Sequence, residues 1–396
     1  MMGWSQAISS AASDAGAGKS ERGSDALTKL NIAFVIKALA AGPGGGAERI
    51  LATISSELAR RGHKVTVLTF DPRGTRDFYR VGSAVGRVRL GVGPILKSSS
   101  AMTTAKRLLR LREALRHARP DVAIGFMHSA FVPLSLALSG TSIPVIGSER
   151  TSYDHYRSRP LQRMLLRAAI PLLHTVTVNG EGVRKGYPRP ISDRMVVVPN
   201  PVLTAAGRAD PGRAGRKTLL SVGGLRPEKD HQTLLLAFSQ IADRSPEWCL
   251  RIVGDGPLFG ELSKQISELG LNRRVELAGS SSSVEREYCD AQLFVLPSRY
   301  EAFPNCLAEA LAHGLPAVGF ASCPGTNALI IPGINGELAD GPHRLDALSK
   351  ALEPLMASPS LRKRLGAAAP ETVARYSLPL VVDTWEQLLH DVVSAK

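Results

Sequence analysis

From Asn31 onward the chain alternates short apolar runs, rich in Val and Ile and bounded by Gly or Pro, with amphipathic segments, and it does so twice. Strand candidates in the first set are 31–37, 65–70, 121–125, 143–147, 174–178 and 195–198, with helices predicted at 47–60, 104–118, 160–170 and 180–186. Over 199–216 the rhythm is broken by Pro, Gly, Ala and Arg, which reads as a linker. It restarts with strands at 217–222, 249–253, 274–278, 293–296 and 316–319 and helices at 230–243, 257–269, 304–313 and 343–356. Apolar runs of this length suit strands buried on both faces, and their alternation with helices builds parallel sheets with helices on both sides. A length of 396 residues also exceeds what one core usually serves. The expected architecture is α/β: two doubly wound, Rossmann-like domains facing across one cleft at their carboxyl edges, where such sheets bind ligands. The expected boundaries are a disordered tail at 1–28, an N-terminal domain at 29–205 and a C-terminal domain at 206–377. A last amphipathic helix within 378–396 is expected to pack back across the junction.

The tail is rich in Ser, Ala, Gly and Asp and lacks the apolar segment of a secretory signal; Met1 and Met2 leave the start codon open. The most apolar stretch, 130–146, is interrupted by Pro133, Ser135, Gly140, Thr141, Ser142 and Pro144, which argues against a membrane span. Cys249, Cys289, Cys306 and Cys323 have neither paired nor metal-finger spacing and read as reduced thiols of a cytoplasmic protein. The net charge of +14 divides unevenly: +17 on 29–205, −1 on 1–28 and −2 on 206–396. A basic half can face nucleic acid, anionic lipid or a phosphorylated substrate. Aromatic residues, at 5%, are too few for the interleaved aromatics of nucleic-acid modules, which favours lipid or pyrophosphate. Segment 106–117 sets Lys106, Arg107, Arg110, Arg112 and Arg116 among Leu108, Leu109, Leu111 and Leu115. That pattern belongs both to helices lying on an anionic bilayer and to core helices with a solvated charged face.

The most informative segment is Tyr300-Glu301-Ala302-Phe303-Pro304-Asn305-Cys306-Leu307-Ala308-Glu309, which follows the 293–296 strand and opens a helix. Pro304 suits the first helical turn, where a missing N–H costs nothing. The free amides of Asn305, Cys306 and Leu307 then make an anion site at the cleft, aided by the helix dipole. Glu301 and Glu309 would stand roughly 12 Å apart on an unbroken helix, too far for one acid/base pair. They suit a grip on hydroxyls at the two ends of an extended nucleotide-sugar. Arg226 and Lys229 follow the 217–222 strand through Gly223-Gly224, at a carboxyl edge within reach of a diphosphate. The chain has no Asp-x-Asp, so no dedicated metal clamp is evident, and two cations with a helix start would stabilise the leaving charge instead.

Other loops fall at carboxyl edges too. Gly44-Gly45-Gly46, before helix 47–60, permits close approach of a ligand to the backbone. His128 follows strand 121–125, and Glu149 and Arg150 follow 143–147, where they suit an acceptor phosphate or a salt bridge between loops. Asn200 is placed to shape the crossover. Gly254-Asp255-Gly256-Pro257 starts the helix after strand 249–253, with Asp255 a candidate N-cap, and Cys323-Pro324-Gly325-Thr326 precedes another helix start.

Two glutamates with seven residues between them, embedded as EAFPNCLAE after LPSR, resemble the hallmark of family-4 glycosyltransferases, which have the two-domain GT-B fold. The resemblance runs from Leu30 onward and includes GGGAER at 44–49, GSER at 147–150, VVPNPV at 197–202, LRPEKD at 225–230 and GDGP at 254–257. Its AFPNCLAEAL…CPG run looks most like bacterial amylovoran-type exopolysaccharide and lipid-linked oligosaccharide transferases; Ala302 departs from the family's usual Gly. The resemblance implies a retaining transferase moving a hexose from a nucleotide-sugar, UDP- in preference to GDP-, to a glycan or polyprenyl-linked acceptor in cell-surface polysaccharide synthesis. No metal or other cofactor is expected. Catalytic parts are implied for Glu301, Arg226, Lys229 and His128, and donor binding for Gly45, Gly46, Gly254, Phe303, Pro304, Asn305, Cys306, Leu307 and Glu309. The expected place is the cytoplasm, at the inner face of the membrane, with the basic N-terminal domain touching anionic lipid and no nucleic acid bound. Two rivals share the architecture or the surface: a nucleotide-sugar epimerase, and a glycan- or membrane-binding module that has lost its cleft residues. A dehydrogenase is disfavoured, because no GxGxxG with a ribose-binding acid follows the first strand.

Overall fold

The computed structural model describes residues 28–40, 45–92 and 101–395; the expected tail, apart from its last residue, and Gly44 lie outside them. Seven strands form a front sheet: β1 (Asn31–Ile36), β2 (Lys64–Thr69), β3 (Gly86–Arg89), β4 (Val122–Phe126), β5 (Val145–Ser148), β6 (Thr175–Val178) and β7 (Met195–Val197). Six form a rear sheet: β8 (Lys217–Val222), β9 (Trp248–Val253), β10 (Val275–Gly279), β11 (Leu293–Leu296), β12 (Ala317–Phe320) and β13 (Gly336–Ala339). All neighbouring strands pair parallel, in the orders β3-β2-β1-β4-β5-β6-β7 and β10-β9-β8-β11-β12-β13. The expected pair of doubly wound α/β sheets is present.

Every residue of β4 and of β11 is buried, as strands covered on both faces require. Gly125 in β4 lets the helix His128–Ala137 press against the sheet: a Cβ there would lie 2.4 Å from the Cα of Phe131. In each sheet the strand order reverses once. The chain leaves β1 toward β2 and returns to β4 on the other side, then repeats the move from β8 to β9 and back to β11. Loops diverge at such a reversal and open a crevice at the carboxyl ends. The segments after β1 and β4 carry Gly45-Gly46 and His128, and those after β8 and β11 carry Arg226, Lys229 and Glu301.

The basic segment 106–117 lies in the helix Ala101–Ala118, which buries Leu111 and Leu115 completely and leaves Leu109 exposed. Arg107 and Arg112 donate to the carbonyls of Val92 (3.0 Å) and Ala137 (3.1 Å), so two of its five cations are tied to the front half while Lys106, Arg110 and Arg116 stay exposed. No described helix is long and apolar enough to cross a membrane.

The last helix, Leu378–Ser394, returns to the front sheet and buries Val381, Val382, Trp385 and Leu389 with Ile32, Phe34 and Ile50. Trp385 stacks on Phe126 at a ring-centroid distance of 6.3 Å. Arg61 pairs with Glu386 and, at 2.5 Å, with Asp383, while His63 Nε2 lies 2.7 Å from Glu386. The preceding helix, Pro359–Ala374, packs on the rear sheet's cores through Leu365, Ala369 and Val373. One continuous segment therefore holds both halves. Trp385→Ala should lower stability by about 3–5 kcal/mol in chemical denaturation; a loss below about 1 kcal/mol would mean the helix does not clasp the front sheet.

Candidate functional site

On the rear half, β8 runs into Gly223-Gly224, and Gly254 after β9 packs directly on that turn. Gly254 has φ +149, and a Cβ there would meet the Gly223 carbonyl oxygen at 2.0 Å, an approach only glycine permits. The Gly223 N–H donates to the Val253 carbonyl (2.9 Å) and the Leu225 N–H to that of Asp255 (3.0 Å), fixing the loop. The exposed Arg226 side chain lies beside Gly224, and that of Lys229 runs beside Gly223. Two cations thus flank one short stretch of approachable backbone. Asp255 accepts from the Gly256 N–H at 2.7 Å, and the next helix begins only at Phe259, so Asp255 serves the turn and is not the expected N-cap.

The segment after β11 brings Glu301 to the same place. Its Oε1 receives Lys229 Nζ at 2.5 Å and Ser298 Oγ at 2.7 Å, and the residue is 9% exposed. Burial alone would lower the Lys229 pKa, but the Glu301 carboxylate beside it outweighs that and holds the ammonium above its ordinary value. Residues 301–303 are not helical; Pro304 takes the cap position and the helix spans Asn305–Ala312. Pro304 therefore sits one step earlier than expected, and the helical spacing of Glu301 and Glu309 does not apply, because Glu301 is on the loop. The Leu307 amide, expected to face the cleft, donates to the Pro304 carbonyl at 3.1 Å in a tight first turn, so Asn305 and Cys306 head the helix. Phe303 packs edge-on against Tyr376 at 5.3 Å, anchoring the loop. Glu309, one turn further along, accepts from Tyr288 Oη at 3.0 Å and from Arg49 of the front half. Arg49, Ser283, Val284, Tyr288, Glu309 and His313 line a cavity of about 370 Å³.

The front half approaches the 301–309 segment through glycines. A Cβ on Gly46 would lie 3.2 Å from Asn305 Nδ2, one on Gly180 2.9 Å from the Ala302 carbonyl oxygen, and one on Gly182 2.7 Å from Pro324. Gly45 stands at the cap of the helix Gly46–Arg60. Arg150 Nη1 donates to Asn200 Oδ1 (2.7 Å) and Asn200 Nδ2 to Asn305 Oδ1 (2.8 Å), so the end of β5 reaches the helix start of the opposite half through two side-chain bonds. Burial brings the Arg150 pKa down to about 10, which still leaves a cation at neutral pH, stacked 5.0 Å over Phe126. Glu149 is fully buried and accepts from Tyr156 Oη (2.6 Å) and the amides of Arg150 (2.9 Å) and Thr151 (3.0 Å). Its oxygens hold the loop that carries Arg150, and the link from this loop to the next runs through Arg150 and Asn200. His128 lies on the front wall with its ring 5.7 Å from His155 and 5.3 Å from Tyr156.

Of the expected residues, the structure joins Glu301, Lys229, Arg226 and Gly254 around one turn and sets Gly46, Asn305 and Glu309 along the facing surfaces. The sequence pattern points to neither Tyr288 nor Ser298, nor to Lys37, whose charge acts on His128, and it gives Arg49 no partner. Lys37 directly follows β1, so the carboxyl-edge rule applied to His128 would have found it. Among the described residues no group of three or more His, Cys, Asp or Glu is arranged to hold a metal ion, and the four cysteines are free.

Burial, assisted by His155, Lys37 and Arg159, pushes the His128 pKa down to about 4, so its imidazole is neutral at physiological pH. A folded-state value below the unfolded one means its stability contribution is full above about pH 6.5 and is lost as pH falls toward 4. NMR titration should place the His128 midpoint near pH 4, and His128→Gln should flatten the acid limb of the stability profile. A midpoint near 6.5 would show a solvated ring.

Residues 44–205 match the family model described as Glycosyltransferase Family 4, and residues 207–372 the one described as Glycosyl transferases group 1. The chain is 25% identical over 369 residues to the GalNAc-alpha-(1->4)-GalNAc-alpha-(1->3)-diNAcBac-PP-undecaprenol alpha-1,4-N-acetyl-D-galactosaminyltransferase of Campylobacter jejuni, covering 92% of this chain and 100% of that protein. It is 26% identical over 356 residues to the amylovoran biosynthesis glycosyltransferase AmsD of Erwinia amylovora, covering 87% and 96%. A 32% identity over 237 residues to an exopolysaccharide phosphotransferase of Streptomyces coelicolor takes in 59% of this chain but spans 25% of that protein. Among solved structures, the sucrose-phosphate synthase of Thermosynechococcus elongatus superposes with a TM-score of 0.81 at 19% identity, covering 92% of this chain and 100% of that one. Anabaena HepE in complex with UDP and glucose superposes with a TM-score of 0.72 at 19% identity, covering 91% and 99%. With each half matched by its own family model and two Rossmann-like sheets facing across the cleft, the chain belongs to the family-4, group 1 glycosyltransferases and has the GT-B fold.

Proposed function

We propose that this glycosyltransferase moves a hexose from a nucleotide-sugar, UDP- before GDP-, to a hydroxyl of a glycan or polyprenyl-linked glycan in bacterial cell-surface polysaccharide synthesis, with retention at the anomeric carbon. The observation that carries this reading is the convergence of Arg226, Lys229 and Glu301 on the Gly223-Gly224 turn, opposite a helix start. The Campylobacter and Erwinia relatives are named for undecaprenol-linked and amylovoran glycans, and the Anabaena neighbour holds UDP and glucose, which supports the substrate classes.

In this reading the donor diphosphate lies along Gly223-Gly224 between Arg226 and Lys229, with the amides that head the helix Asn305–Ala312 completing its anion site. Glu301 holds a hydroxyl of the sugar, while Glu309, at the mouth of the 370 Å³ cavity, takes the ribose end once Arg49 yields it. An acceptor hydroxyl enters from the His128 side and attacks the anomeric carbon on the face the diphosphate leaves. The bond from that carbon to the phosphate oxygen breaks, the new bond to the acceptor oxygen forms on the same face, and the acceptor's proton passes to the departing phosphate oxygen. The protein supplies position and charge: the neutral His128 orients hydroxyls, and the two cations stabilise the leaving diphosphate. No protein carboxylate serves as a covalent nucleophile, and no metal is required.

Glu301→Gln and Lys229→Met should each cut release of UDP or GDP in the presence of acceptor by at least about a hundredfold, with melting temperature near that of the parent. Parental turnover in both would end the assignment. Transfer should persist in EDTA, and the nucleotide-sugar incubated alone should return unchanged or slowly hydrolysed; its conversion to an epimer would favour the epimerase.

A further inference from the structure

Lys229 and Glu301 sit on loops that leave neighbouring strands, β8 and β11, so their pairing requires one loop to be held against the other. Asp230 stands between Lys229 and the helix His231–Ala242, with φ 53 and ψ 37, in the left-handed region. Glycine enters that region freely, whereas a Cβ makes it unfavourable, least so for aspartate and asparagine. Asp230 also holds the N-cap position, where an aspartate ordinarily accepts from an amide of the first helical turn. Its side chain makes no such bond. The carboxylate instead collects three side chains. Oδ1 accepts from Arg299 Nη2 (3.2 Å) and Thr233 Oγ1 (2.9 Å), and Oδ2 from Arg344 Nε (3.1 Å), with the residue 5% exposed.

Both arginines lead back to the Glu301 segment. Arg299 lies two residues before Glu301, and its amide donates to the Glu228 carbonyl at 2.9 Å. Arg344 opens the helix Arg344–Ala357, its guanidinium 3.6 Å over the Phe320 ring, and its Nη2 donates to the Pro297 carbonyl at 2.8 Å. The carboxylate thus joins the residue after Lys229 to the residues on either side of Ser298, whose hydroxyl holds Glu301. Hydrogen bonds from guanidinium to carboxylate are among the strong ones, so the join resists displacement. The same left-handed turn sets the His231 ring, 2% exposed, beside the backbone of Gly223 and Gly224. We infer that Asp230 is a positioning residue of the donor site: held by Arg344 and Arg299, it fixes where the Lys229 ammonium stands relative to Glu301 and the Gly223-Gly224 turn, and so how tightly a diphosphate is bound. The last clause rests on the proposed donor; the positioning of Lys229 does not.

Two measurements on the full chain test it. Acetic anhydride labelling read by mass spectrometry reports how closely Lys229 is held, with Lys217 on β8, paired with Glu247, as the control for folding. Asp230→Gly keeps the left-handed turn without its strain, and Asp230→Asn keeps the shape of the side chain. In both, Lys229 should label several-fold faster and Lys217 at the parental rate. Titration calorimetry with UDP reads the consequence. Lys229→Met should weaken UDP binding about tenfold, and Asp230→Gly should weaken it several-fold. The double variant should bind no worse than Lys229→Met alone, because Asp230 acts through that ammonium, whereas a merely structural role would add its loss in both backgrounds. Parental labelling of Lys229 in both Asp230 variants, an equal rise at Lys217 in both, or additive losses in the double variant would overturn the assignment. If the parent binds neither UDP nor GDP, the donor reading falls and labelling alone decides, faster labelling of Lys229 in the variants still assigning Asp230 its positioning role.

Discussion

Burial of both faces of two parallel sheets is the constraint from which the rest of this structure follows. Strands such as β4 and β11 have no solvent-facing residue, so nothing along their length can touch a ligand. Chemistry is confined to the strand ends, and the single reversal in each strand order decides which ends lie open. Two such crevices become one site only if the halves are held face to face. The C-terminal segment does that, with the helix Pro359–Ala374 on the rear cores and the helix Leu378–Ser394 on the front one.

Charge inside the cleft is arranged before any ligand arrives. The Lys229–Glu301 pair, steadied by Ser298, keeps a cation and a carboxylate in fixed positions beside the Gly223-Gly224 turn. The front wall works by the opposite means: burial and neighbouring cations keep the imidazole of His128 uncharged. Glu149, although it stands at a carboxyl edge like the others, spends its oxygens on Tyr156 and two amides and shapes the loop from within.

The double rhythm of strand and helix was legible because each buried strand needs a run of apolar residues and each covering helix an apolar stripe. What escaped lacks that signature. β3 reads Gly-Arg-Val-Arg, a polar edge strand, and β13 is a four-residue strand after a Gly-rich loop. The helix His128–Ala137 is apolar nearly all round and carries Pro133, while Pro359–Ala374 contains Gly366 and Pro370 and so reads as interrupted. The rear half of the site was readable because Arg226 and Lys229 flank a glycine turn and Glu301 precedes a helix start. Partnerships across the cleft were not: Arg49 and Glu309 stand 260 positions apart, and only the closed fold makes them neighbours.

The bonds from Arg150 through Asn200 to Asn305 carry a further implication. The first residue of the helix that would grip the donor is tethered to the lobe that would hold the acceptor. Any rotation of one half against the other would therefore strain these two bonds and pull on the start of the helix Asn305–Ala312 as well as widen the gap between the sheets.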